Sequence, residues 1–376
     1  MKIARVEPMV LSHALRKPFA FSQWEYAERS VCIVKVVAED GTVGLGEGYG
    51  PATVVAAGLR WLSRYLVGLD AANPGAAWET MFRRCADWAR SGVLLAALSA
   101  LDVALHDLAG RLLGIPVHLL LGGKRRDRVQ VYATGMYFRE ADDLAAELAR
   151  EAHGYLGEGF RAVKMKVGLG TRQDVENVRA VREAVGGATT LMVDANHAYT
   201  LAEARGVAAA LAEYGIGWFE EPLPPEDYDG YRELRAATSI PIAAGECEYL
   251  AAGFRRILEG RCVDVVQPDI CACGGLTEAA RIRALARVHG TPMAPHCWGT
   301  GIAFAAALHF VGTIDAVPGR LHSPEPVLEM DRTESPLRDL VTIPRFEQRD
   351  GYVRVPDGPG LGVTLDEEAA RRYRVE

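Results

Sequence analysis

Six short apolar runs punctuate the middle of the chain: AVKMKVG, TLMVDAN, IGWFEEP, IPIAAGE, VDVVQPD and TPMAPH. Each ends on or near a polar residue: Lys164 and Lys166, then Asp194, Glu220, Glu246, Asp269 and His296. Runs of this kind read as buried parallel strands. The steps from Asp194 through Glu220, Glu246 and Asp269 to His296 are 26, 26, 23 and 27 residues. That length accommodates one strand, one helix and two loops. The chain therefore repeats a βα unit, and every repeat delivers a polar side chain to the carboxyl end of its strand. In a (β/α) barrel those ends converge on one mouth.

The flanks follow other patterns. Ile3–Ser12 and the alternating, β-branched Ser30–Ala38 read as strands, and Asp40-Gly41 reads as a hairpin turn into a third. Leu15–Glu28, rich in aromatics, is expected to be a loop, as is Tyr49–Thr53. From Pro51 to Leu121 apolar residues recur at three and four, the helical period. Asp102 and His106 lie four apart on one face there, as in a hydrogen bond within or between segments. Gly114-Ile115-Pro116 stops that pattern, and Leu119–Val129 reads as a linker. The barrel opens with Val129–Thr134. Helices are expected near Ala141–Leu156, Arg172–Val185, Leu201–Tyr214, Tyr228–Ala237, Leu250–Leu258, Thr277–His289 and Gly301–Val311. A last strand is expected at Val327–Met330. The fold expected is α/β, with an α+β region over residues 1–125, a barrel over 126–344 and a tail, 345–376, that returns to the first region.

Composition narrows the class. With 376 residues and a formal charge of −7, and without a Lys/Arg run, the chain lacks a nucleic-acid footprint. Its 7 cysteines are odd in number and show no CxxC spacing, so neither a disulfide framework nor a zinc site is expected. That usage fits a reducing, cytoplasmic setting. The most apolar window, Val93–Leu113, carries Asp102, His106, Asp107 and Arg111. It reads as a buried helix, not a membrane span.

Asp194, Glu220 and Glu246 come from three consecutive strands, forming a fan of hard oxygen donors. Without His or Cys among them they suit Mg²⁺, with Mn²⁺ as a substitute. Helix N-capping is the competing account; it covers Asp194 but explains Glu220 and Glu246 poorly. Lys164 and Lys166, two apart on a strand, project to one side. One is expected to meet a substrate anion. The other, crowded by cations, is expected to have a lowered pKa and to serve as a base. Asp269 beside His296 forms a second candidate acid/base. A metal between two bases suits removal of a proton α to a carboxylate.

These residues, the KMK, DAN, WFEEP, AGE and QPD strings and the helix text ALSALDVALHDLAGRLLGIPVHLLLGG resemble the enolase superfamily, mandelate racemase subgroup. The resemblance spans essentially the whole chain. It implies a (β/α)₇β modified TIM barrel under an α+β capping domain formed by the N-terminal region and the C-terminal tail. It also implies Mg²⁺ on Asp194, Glu220 and Glu246, and bases at Lys166 and the Asp269–His296 pair, a pattern known for the superfamily. A last-strand Glu that hydrogen-bonds the enolate maps to Glu329, with Glu325 as competitor. Muconate-lactonising or dipeptide-epimerising members would carry a Lys on the strand that here carries Asp269. Further strings, among them DANHAYT, QPDICACGGL and EMDRTESPLR, are similar to members that open an aldarolactone by β-elimination to a 3-deoxy-2-keto-hexarate. Acid-sugar dehydration and racemisation of a 2-hydroxy acid are the alternatives, and an even-numbered homo-oligomer is implied. The candidates for substrate recognition are Asn196, His197, Tyr137, Trp298, Tyr49, Trp24 and Gln23.

Overall fold

A computed structural model describes residues 1–317 and 319–375. An antiparallel three-stranded sheet opens the chain: Ile3–Ala20, Glu25–Ala38 and Val43–Gly48. The helices Ala52–Ser63, Pro74–Cys85 and Val93–Leu113 follow. Val93–Leu113 has the length and apolarity of a membrane span, yet most of it is buried inside the fold. It lies so close to the sheet that a Cβ on Gly46 would fall 1.9 Å from the Ala100 carbonyl oxygen. Only glycine permits that approach. Asp102 on this helix accepts hydrogen bonds from the Thr277 amide (2.9 Å) and hydroxyl (2.7 Å), so it caps a barrel helix from the neighbouring region.

The barrel's parallel strands are Arg128–Thr134, Ala162–Lys166, Thr190–Asp194, Ile216–Glu220, Ile242–Ala244 and Val265–Val266, paired in chain order, with Val327–Asp331 beside the first. A single parallel bridge from Val266 to Met293 adds one more stave. Register places Lys166 beside Asp194, and Asp194 beside Glu220. The helices between strands run Leu144–Gly157, Thr171–Val185, Leu201–Leu211, Tyr228–Ala237, Leu250–Glu259, Gly275–His289 and Gly301–Gly312.

Two expectations change. Leu15–Glu28 is not a loop: the first two strands extend through the aromatic stretch, leaving only 21–24 as a tight turn. Its alternating aromatics pair Phe19 with Tyr26 across the hairpin. The later barrel strands are also shorter than their apolar runs. Glu246 stands two residues past Ala244, and Asp269 and His296 three past Val266 and Met293. Gly245, at φ +136°, breaks one strand. Pro268, Pro292 and Pro295, which lack amide donors, curtail the others.

After residue 344 the chain touches both regions. Tyr352–Arg354 pairs antiparallel with Arg128–Thr134, while Lys35 binds Glu367 (2.5 Å) and the Val375 amide donates to Val10. All seven cysteines are free thiols.

Candidate active site

Asp194 and Glu220 end their strands side by side, and Gly245 turns Glu246 in towards them. One carboxylate oxygen from each residue lies within 4.8 Å of the others, and all three residues are buried. Burial, then repulsion from neighbouring acids, holds Glu220 at about 8 and Glu246 at about 7 despite nearby cations. Glu220 Oε2 accepts from Gln267 Nε2 (2.7 Å) and Trp218 Nε1 (2.8 Å), two orienting donors that the sequence reading missed. An all-oxygen, multiply anionic, buried set fits a hard divalent cation. A second grouping, His197, Glu221 and Cys247, offers mixed N, O and S donors and suits a different class of ion.

Lys164 is buried beside Glu220, with Nζ 2.9 Å from Glu329 Oε1 and 3.5 Å from Asp194 Oδ2. Lys166 Nζ donates to Asp194 Oδ2 (2.5 Å) and Asn196 Oδ1 (2.8 Å) and sits 4.9 Å from the centre of the Tyr137 ring. A lysine lowered by a neighbouring cation and a bound metal was expected; in the metal-free fold neither lysine is lowered. Burial pulls both ammonium groups down, but Glu220 and Glu329 at Lys164, and Asp194 at Lys166, outweigh it and hold both above the usual lysine range. Each carboxylate adjoins a lysine directly, closer than the lysines' mutual repulsion can counter.

Opposite these groups in sequence, His296 Nδ1 meets Asp269 Oδ2 at 2.6 Å. Its Nε2 lies 3.6 Å from Glu246 and 3.9 Å from Glu329. Burial disfavours the imidazolium, but Glu246, the Asp269 hydrogen bond and Glu329 raise it to about 10. Asp269 is itself fixed by the Cys271 amide (2.6 Å). Glu329 accepts from Thr134 Oγ1 (2.6 Å) and the Cys297 amide (3.1 Å). Glu325 lies elsewhere, lining a separate cavity with Arg283 and Arg287.

A cavity of about 420 Å³ joins Lys166, Glu246, His296 and Glu329. All seven candidates for substrate recognition line it. Gln23 Nε2 donates to the Asn196 carbonyl (2.7 Å), and Ser22 Oγ to that of Ala195 (2.7 Å), so the hairpin tip is pinned to the loop after Asp194. Asn196 and His197 sit in that loop with φ of +43° and +67°. His197 Nε2 forms an ion pair with Glu221 (3.1 Å), and its Nδ1 lies 3.0 Å from the Leu223 carbonyl. The Tyr49 ring meets His296 edge-on at 5.1 Å. Trp298 packs on Tyr26 (4.9 Å), and Trp24, half exposed, on Phe21 (4.6 Å). Phe21 and Tyr26 of the aromatic stretch also line the cavity, as does Glu226, which was not singled out from sequence. The alternation of the hairpin aromatics was the available signal for the first two.

The strand ends gather three acids, two lysines and an Asp–His pair, of which Lys166, Glu246 and His296 reach one cavity together with Glu329, an arrangement suited to ionising a carbon acid beside a cation. Profile matches agree: residues 5–122 match the mandelate racemase / muconate lactonizing enzyme N-terminal domain, and residues 147–369 the enolase C-terminal domain-like family. The chain belongs to this family of enolase-superfamily enzymes. It is 40% identical to D-galactarolactone cycloisomerase of Agrobacterium fabrum, over 100% of this chain and 99% of that one. It is 46% identical to the crystal structure of the 3,6-anhydro-D-galactonate cycloisomerase from Zobellia galactanivorans, covering 100% of both chains with a TM-score of 0.92. A racemase from Streptomyces coelicolor, solved with bound magnesium, is 29% identical, covering 99% of this chain and 100% of that one, with a TM-score of 0.88.

Proposed function

We propose that this enzyme removes the proton α to the carboxylate of a cyclic sugar acid and expels the β-oxygen of its ring, as D-galactarolactone cycloisomerase does for its lactone. The product is a 3-deoxy-2-keto acid. The observation that carries the reading is that Lys166 and His296, the latter backed by Asp269, open onto the same cavity as Glu246 and Glu329.

Asp194, Glu220 and Glu246 would hold a magnesium ion, whose chemistry is to stabilise negative charge growing on the substrate carboxylate. Lys164, held as an ammonium among carboxylates, adds a fixed positive charge at the same end. Asp269 engages Nδ1 of His296, which leaves Nε2 as the atom that exchanges a proton with substrate. Lys166, oriented by Asn196 Oδ1, supplies the second proton-transfer group. The α-carbon's proton passes to a base, the carbon–hydrogen electron pair becomes the carbon–carbon double bond, and the β carbon–oxygen bond breaks. In a lactone the ring oxygen leaves as a carboxylate and needs no proton. In an anhydro sugar it leaves as an alkoxide and takes one from a general acid. The enol then tautomerises to the ketone.

The test is a panel of sugar-acid lactones, anhydro acids and open-chain acids incubated with enzyme and Mg²⁺, with 2-keto acids trapped by semicarbazide. The reading predicts keto-acid formation, and in D₂O deuterium at the product's new methylene. Deuterium entering unreacted substrate without elimination would select racemisation instead. Neither signal from any compound would sink the proposal.

A further inference from the structure

We infer that the cavity accepts a substrate with a single carboxylate on an uncharged ring and discriminates against open-chain diacids. This rests on the elimination reading above and narrows its substrate class. Among the described residues, every cation that lines the cavity is already engaged. Lys166 is held by Asp194 and Asn196. His296 lies between Asp269 and the carboxylates of Glu246 and Glu329. His197 has Glu221 on one ring nitrogen and the Leu223 carbonyl on the other.

Arg29, which stacks on Trp298, is engaged elsewhere. It is buried, its Nη1 donates to Asp331 (3.1 Å) and Thr333 (2.6 Å), and the Trp298 ring covers it at 3.7 Å. Among the described residues lining the cavity are five aromatics: Phe21, Trp24, Tyr26, Trp298 and Tyr137, the last lying against Lys166. Glu226, exposed at the mouth, adds negative charge.

One substrate carboxylate would be met at the end where Lys164, Lys166 and the three acids with their ion converge. A second would face flat rings and Glu226 with no free cation, and an unpaired charge in such surroundings is strongly disfavoured. The same rings suit the C–H faces of a five-membered ether or ester. A diacid closed to its monolactone and an anhydro-aldonate both meet this requirement, since each carries one negative charge.

The experiment compares kcat/KM of the magnesium-loaded, full-length enzyme on matched compounds. These are a hexarate, its monolactone, the 3,6-anhydro-hexonate and the open-chain hexonate of one configuration, which separates charge from ring shape. The cyclic monoanions should exceed the hexarate by at least about a hundredfold, with the hexonate between. Trp24→Arg, placing a cation on the half-exposed rim, should raise the hexarate's relative efficiency at least about tenfold, and added salt should erase the gain. A wild-type enzyme that eliminates from the hexarate as efficiently as from the monoanions overturns the inference while leaving the elimination reading intact. No keto acid or α-proton exchange with any of the four sinks both.

Discussion

The two walls of the cavity are held in different ways. On one, Lys166 lines the cavity and is the register neighbour of Asp194, as Asp194 is of Glu220, so the backbone ladder itself spaces the charges. On the other, Phe21, Trp24 and Tyr26 sit on a hairpin tip from a different region, packed on one another and pinned by Ser22 and Gln23 to two barrel carbonyls. The first wall cannot change without disturbing the barrel. The second can exchange side chains while the acids stay in place. On the proposed reading, reaction type and substrate choice would reside in separable parts of one molecule.

Substitutions should divide along that line. On the barrel wall, Lys166→Ala and His296→Asn are each expected to lower kcat about 10²–10⁴-fold for the step they serve, with the circular dichroism spectrum unchanged. Retention of full turnover by both variants would refute their assignment as bases. Asp269→Asn removes the carboxylate that fixes and charges His296. It should cost about 10–100-fold in kcat and move the His296 limb of the pH–rate profile to lower pH. A loss of rate with an unmoved profile would reduce Asp269 to a packing role.

Acidity gives a third handle. Glu246 at about 7 and Glu220 at about 8 must lose protons when a cation binds. Both are raised above the unfolded carboxylate value, so the metal-free fold is favoured by their protonation at low pH and loses that contribution as pH rises through 7–8. Magnesium affinity should run the other way, rising by up to roughly tenfold per pH unit for each proton displaced. Calorimetric titrations across that window check the slope, and a flat profile would contradict the protonation states. The smallest effects belong to the hairpin. Trp24→Ala or Tyr26→Phe should raise KM up to about tenfold while leaving metal affinity unchanged. A metal-binding defect in either would show that the walls are not separable.

The barrel wall was readable because a regular βα repeat fixes where each strand ends, and Asp194 and Glu220 fall where the apolar runs stop. Glu329 is preferred over Glu325 once strand Val327–Asp331 is seen to align Glu329 with Tyr132, next to Thr134 and Lys164. The hairpin wall was harder to read. Gln23 meets Asn196 across a long stretch of chain, and nothing local in either segment signals that contact. Gln267 and Trp218 were missed because each stands near a charged residue that drew the chemistry. The lysine lowering was expected from a neighbouring cation and a bound metal; in the metal-free fold the carboxylates that register sets beside them govern instead. Proline positions in the QPD and APH strings carried the information that those strands would end early.

Asp194, Glu220 and Glu246 are proposed to share one divalent cation. Titrating metal-stripped enzyme with Mn²⁺, and the Glu220→Gln variant beside it, tests this most directly. The account predicts one tight site per chain in the wild type, displaced by Mg²⁺ and weakened at least about tenfold in the variant. A wild type with no such site, or a variant that binds as tightly, would contradict it.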